Sequence, residues 1–162
     1  MIDGLSRTLR VIAIVERWAL AVWVGSIAGF AFVFAPIAFS YLRGDLDTFA
    51  AIVRGALGGL TTVGYVCGAV SLAASGLGVV ANRSRAAAAR AACALVMLGL
   101  VTYSQRAIVP EMIAVEASFH APFNSIARSD PRRIRYDALH AKSSRVYGAV
   151  LILGLCAIAL VD

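Results

Sequence analysis

Residues 18–42 read WALAVWVGSIAGFAFVFAPIAFSYL, a stretch of 25 residues without a single charge. An α-helix needs about 20 apolar residues to cross the hydrocarbon core of a bilayer, so this stretch alone is long enough to span one. Three more follow, over 52–81, 86–109 and 145–161, in a chain of only 162 residues. None alternates polar and apolar at every second position, as a barrel strand would. Backbone groups in lipid must be satisfied within the spanning structure, and continuous apolar runs do this as helices. The sequence therefore predicts an all-α integral membrane protein, an antiparallel four-helix bundle forming one domain over 1–162.

Composition agrees. The mean hydropathy is +0.83, and 60% of residues are hydrophobic, against about half in soluble domains. The net charge of +6 comes from arginine, Lys142 being the only lysine. The arginines flank apolar segments instead of forming a stripe interleaved with aromatics, so no nucleic-acid partner is expected and anionic membrane lipids are. The arginine and alanine bias points to a GC-rich bacterial genome, and hence to a multi-pass protein of the bacterial inner membrane. Cys67, Cys93 and Cys156 fall one to each of the last three segments without metal-ligand or disulfide spacing, and read as small packing residues. The first apolar stretch is too long for the core of a cleavable signal and no small-residue cleavage site ends it, so it is expected to stay in the membrane as an anchor. Four spans put both termini on one side. That side carries six Arg and the other nine Arg and Lys, while the first helix alone favours the opposite orientation, so the sidedness stays open.

Along the chain, Leu5 to Glu16 is amphipathic, and Trp18 and Trp23 follow where an interfacial aromatic belt belongs. Pro36 removes the donor for the carbonyl of Phe32 near the end of the first span. A short polar turn over 43–48 makes the first two spans a hairpin. Gly25 and Gly29, Gly55 and Gly59, and Gly64 and Gly68 set small residues four apart, the spacing that lets helices approach closely, either inside one chain or between copies. The third segment keeps helical spacing past Tyr103 and Arg106 through Pro110, Glu111 and Glu116. Ser129-Asp130-Pro131 is a helix start, with Asp130 as cap and Pro131 at the first position. Helices three and four are thus expected to extend beyond the bilayer as a stem, a hairpin over about 110–144 with its loop near His120 to Ser129. Pro36 and Pro110 fall near corresponding ends of helices one and three.

The polar candidates gather in that stem. Arg132, Tyr136, His140, Ser143 and Tyr147 recur at three- and four-residue steps and share a helical face. Asp137 stands three residues before His140, close enough to orient the ring, although Arg133 competes for it. Helix three offers Tyr103, Arg106 and Glu111 at similar depth, and Pro110 leaves the carbonyl of Arg106 in need of a side-chain or water donor. Polar groups near bilayer depth are functional candidates by default. Either they form a polar mouth that binds a solute, proton or metal, or they lock helix three to helix four. His140, with His120 as the second imidazole, is the candidate for haem or metal ligation. Cys93, Met97 and Cys156 are the candidates for a soft metal. No phosphate loop, nucleophile elbow or zinc-protease motif occurs, and an enzyme is not expected.

Trp23-Val24-Gly25, then Phe34-Ala35-Pro36 and Phe39, then Arg106 and Pro110, then Tyr136, Leu139-His140 and Ser143-Ser144 resemble, in order, the transmembrane protein 205-like family of small four-helix membrane proteins. The resemblance implies a four-span bundle of unknown biochemical activity, some relatives of which are linked to resistance to platinum drugs. Pro36, Arg106, Pro110, His140 and Ser144 would be the family-type positions, with Leu139 standing where an aromatic often precedes the histidine. The function expected is binding or handling of a small solute or metal species, or service as an accessory subunit of a membrane assembly, including a homo-oligomer. The alternative is a haem-binding redox subunit using His140.

Overall fold

The computed structural model describes residues 2–160; Val161, assigned above to the fourth span, lies outside the described residues. Four long helical rods account for nearly all of it. The first consists of α1 (Ile2–Gly29), a π-helical turn (Phe30–Phe34) and α2 (Ala35–Leu42). The second is α3 (Leu46–Asn82). The third repeats the first pattern with α4 (Arg85–Tyr103), a π turn (Ser104–Ile108) and α5 (Val109–Ala117). The fourth is α6 (Pro131–Ala159), reached through a loop holding one short 3-10 turn (Phe123–Ser125). All four rods are long and apolar enough to cross a membrane, and no strand occurs among the described residues.

Local chemistry sets the boundaries. Asp45 caps α3 by accepting from the Thr48 amide at 3.0 Å, so this helix starts six residues before the apolar run that revealed it. Ser84 caps α4 through the Ala87 amide, and Asp130 caps α6 through the Arg132 amide at 2.8 Å, each satisfying one of the four amides a helix start leaves free. Arg83 ends α3 in the left-handed region at φ 48°, the conformation that turns the chain sharply between α3 and α4.

The two prolines share a backbone setting. Pro110 is expected to leave the Arg106 carbonyl to a side-chain or water donor, and no described side chain donates to it. In both rods the helix widens just ahead of the proline: Val109 N–H bonds the Ser104 carbonyl and Ala35 N–H bonds that of Phe30, five residues back. In both rods the proline is the second residue after the π turn. Pro110 lies 74 residues beyond Pro36, and the π turns share that displacement. What the sequence offers as one shared residue per hairpin is a shared backbone device.

The rods form a ring in which α1 packs on α3 and α6, α4 packs on the same two, and α1 and α4 face one another across the diagonal. The centre is a dry layer of Trp23, Ile27, Cys67, Met97, Val101 and Val150. Glycines make it possible. A Cβ on Gly64 would lie 2.8 Å from the Trp23 indole nitrogen, and one on Gly68 would lie 2.5 Å from Leu98. Gly154 leaves room for Val24 and Met97 in the same way. Gly25, Gly29, Gly55 and Gly59 have nothing within 4 Å of such a Cβ, so of the three glycine pairs only Gly64 and Gly68 serve packing inside the bundle.

Candidate functional site

At the end of the bundle where α2 turns into α3, the loop between α5 and α6 folds over the turn. Asn124 donates to the Gly44 carbonyl at 2.8 Å, and the Phe123 amide lies 3.2 Å from the Asp47 carboxylate. The Arg133 guanidinium stacks 3.9 Å above the Phe123 ring and donates to the Phe123 carbonyl. Beneath this lid Arg54 of α3 grips Glu116 of α5 through two parallel bonds of 2.8 Å, the fork geometry in which arginine binds carboxylate best. A crevice of about 270 Å³ opens beside the pair, lined by Asp47, Arg54, Ile113, Glu116, Phe119 and Ala121 among others. Deeper in the bundle, Gln105 donates to Thr61 Oγ1 at 2.8 Å and to the Tyr147 hydroxyl at 3.3 Å, while the Tyr65 and Thr102 hydroxyls meet at 3.2 Å. The dry layer around Trp23 and Met97 lies below.

Part of the sequence-assigned constellation contributes to this end of the molecule, and part does not. Glu111 pairs with Arg135 at 2.6 Å, which joins α5 to α6. Tyr136 is half-buried, edge-on to Phe123 at 4.9 Å. Ser143 is half-buried as well, and Tyr103 lies under the Lys142 ammonium at 5.2 Å. The face expected to unite Arg132, Tyr136, His140, Ser143 and Tyr147 divides: Arg132 turns to Asp130 and the Ser118 carbonyl, Tyr147 to Gln105, and His140 outward. His140 is exposed. No hydrogen bond joins Asp137 to it; the competing Arg133 lies 3.7 Å from that carboxylate. Ser144 bonds the backbone carbonyl of His140 at 3.0 Å, leaving the imidazole untouched. Arg106, Pro36 and Pro110 are exposed, while Trp23 is 1% exposed at the centre of the core.

The proposed ligand sets are not assembled. His120 and His140 are both exposed. Since Arg132 bonds the Ser118 carbonyl, two residues before His120, His140 lies about eight residues, or roughly 12 Å of helix, further along α6. Met97 is fully buried, Cys93 packs beside Leu20 and Ala157, and Cys156 is exposed on the outside. Among the described residues no three His, Cys, Asp or Glu side chains converge as a metal would require. Outside the spanning helices, hydrogen bonds from the Arg132 side chain and then its amide hold the Asp130 carboxyl down to about 2. The Thr48 hydroxyl and amide lower that of Asp45.

A second polar cluster, at the opposite end, escapes the sequence reading. Glu16 of α1 is 1% exposed. Its Oε1 accepts from the Ser75 hydroxyl of α3 and from Arg90 Nε of α4 at 3.0 Å. Arg90 also donates from Nη1 to the Leu160 carbonyl at 2.7 Å, just past the end of α6. All four rods therefore meet on one ion pair. The Ser71 hydroxyl, one turn from Ser75, is buried without a hydrogen-bond partner. The signal was present: Glu16 is in helical step with Leu20, Trp23 and Ile27, and Arg90 with Ala94, Met97 and Val101, so each charge stands in a core stripe.

Residues 18–120 match a protein family described as Domain of unknown function (DUF4149). The match takes in Trp23, both π turns with their prolines, Arg54, Arg90 and Glu116, and stops before α6. No curated protein and no solved structure matches the chain. With well over half of its length covered, the chain belongs to the DUF4149 family of domains of unknown function.

Proposed function

We propose that this is a non-catalytic four-span membrane protein that binds a small polar solute carrying a cationic group, in the crevice where the 3-4 hairpin covers the 1-2 turn. The observation that carries the proposal is the balance of charge there. Two carboxylates, Asp47 and Glu116, face one guanidinium, Arg54, in a recess of about 270 Å³. Each carboxylate oxygen keeps a lone pair beyond the bond it already accepts. The dry layer below favours binding over passage through a single bundle. In this proposal α5 and the first half of α6 stand outside the lipid as a stem, supported by ion pairs Arg135–Glu111 and Arg132–Asp130. The likeness to transmembrane protein 205-like proteins belongs with the same reading and rests on sequence motifs that include Pro36 and Pro110.

The test is a titration of the detergent-solubilised chain with small amines, divalent cations and carboxylates, followed by thermal unfolding. An amine or cation should raise the melting temperature by several degrees. Asp47→Asn, which keeps an acceptor for the Phe123 amide, should weaken that ligand about tenfold. Stabilisation by carboxylates alone, or an unchanged response in Asp47→Asn, would sink the proposal.

A second reading has one specific observation in its favour. Gly25, Gly29, Gly55, Gly58 and Gly59 face outward, and a methyl group added at any of them would meet nothing within 4 Å, as close helix packing with another chain would need. This supports service in a larger membrane assembly.

A further inference from the structure

The cluster at the N-terminal end opens on a cavity of about 150 Å³ between α1, α3 and the start of α4, lined by Ile12, Ala13, Glu16, Gly78, Ser84 and Arg90 among others. Its polar groups are only half used. Glu16 commits Oε1 to Ser75 and Arg90, while its Oε2 accepts from no described residue. Arg90 commits Nε and Nη1, while its Nη2 donates to none. At the start of α4 the Ser84 side chain satisfies the Ala87 amide, and those of Arg85 and Ala86 lack helical partners. One small chamber thus brings together a carboxylate oxygen that accepts from no described residue, a guanidinium nitrogen that donates to none, and a helix start that favours an anion.

Depth narrows the occupant. Between Arg90 and Arg106 the third rod has 15 charge-free residues, about 22 Å of helix, less than the roughly 30 Å hydrocarbon core; Arg90 stands four residues inside the span over 86–109, one turn from the headgroups. From Glu16 the lining runs outward along α1 through Ala13 and Ile12 to Leu9, into the headgroup layer. Arg7, Arg10, Arg17, Arg83 and Arg85 surround this end, all exposed.

We infer that the cavity is a binding site for a primary ammonium joined to a phosphate, the chemistry of an ethanolamine phospholipid headgroup or of its soluble phosphodiester. The ammonium donates to Glu16 Oε2. The phosphate accepts from Arg90 Nη2 and the free amides of α4. A trimethylated ammonium has no N–H to give Glu16, and a glycerol headgroup has no cation. The site therefore discriminates by charge and donor count.

The full chain in mild detergent would be titrated with ethanolamine, choline and glycerol phospholipids of identical acyl chains, and binding read by native mass spectrometry. The ethanolamine lipid should bind at least tenfold more tightly than the other two. Ala13→Leu fills the chamber and leaves the ion pair in place; it should abolish the preference while the melting profile stays cooperative. Asp47→Asn, at the far end, should leave the preference intact, which separates this site from the crevice proposed above. Soluble glycerophosphoethanolamine distinguishes the two sources: competition at concentrations like the lipid's assigns the free zwitterion, and absence of competition assigns the lipid. Equal binding of all three lipids, or an unaltered preference in Ala13→Leu, overturns the inference.

Discussion

Glu16 shows how much one side chain can decide. Removing its carboxylate strands Arg90, whose side chain is only 10% exposed, and deleting one partner of a buried pair costs about 3–5 kcal/mol. Glu16→Ala should therefore melt far below the parent in detergent. Replacing both partners with apolar groups of similar volume, Glu16→Leu with Arg90→Met, should recover most of the loss, because no unpaired charge then remains. A double-variant cycle by thermal unfolding checks this, and a double variant as unstable as the single would show that Ser75 and the Leu160 carbonyl matter more than the pair. The same residues mark the limits of reading sequence by type. His140 attracts attention as one of only two histidines, yet it turns outward, whereas Glu16 and Arg90 hide among the charges that flank apolar segments. Helical step alone separates a flanking arginine such as Arg85, which is exposed, from a core one such as Arg90.

Among the elements, the helix starts were written plainly. Ser129-Asp130-Pro131 places the first turn of α6 to the residue, and the Asp130 carboxyl is held down to about 2 by Arg132. A carboxyl whose folded pKa lies below its unfolded value of 3.8 contributes stability that is complete well above that value. The contribution fades as the pH falls toward the folded pKa of about 2 and the acid protonates in both states. Asp130→Ala should lower the melting temperature by a few degrees at neutral pH, the usual effect of losing a cap, and this difference from the parent should vanish in strong acid. Parallel thermal melts at neutral pH and near the folded pKa provide the check, and an equal difference at both values would mean that Asp130 acts without its charge. The π turns were less legible. Pro36 and Pro110 announce a missing donor, but a side chain, a water or a widened turn could each meet the need, and the choice depends on how the next turn must face its neighbour. The π turn and the helix beyond it must present Ile108 and Val115 to Leu139 of α6, with which they form one cluster, a requirement set by a distant helix.

At the scale of the whole molecule, the four spans followed from composition because lipid leaves a chain few alternatives. How the two hairpins close on each other did not, since every apolar face is acceptable to lipid and contacts are chosen by shape at positions such as Gly64, Gly68 and Gly154. The 74-residue displacement that relates the π turns also carries Glu16 onto Arg90, so equivalent places in the two hairpins hold opposite charges that meet across the diagonal. Two copies of the first hairpin would bring Glu against Glu at that point, and two copies of the second Arg against Arg. Complementarity built from repulsion in the wrong pairing is how an interface rejects its own likeness. A chain severed between Arg83 and Ser84 and produced as two pieces should accordingly reassemble as a one-to-one heterodimer, visible by co-purification through a tag on either piece, while each piece made alone should fail to self-associate. The hairpins are thus a lock and its key carried on one thread, and the thread can be cut without losing the match.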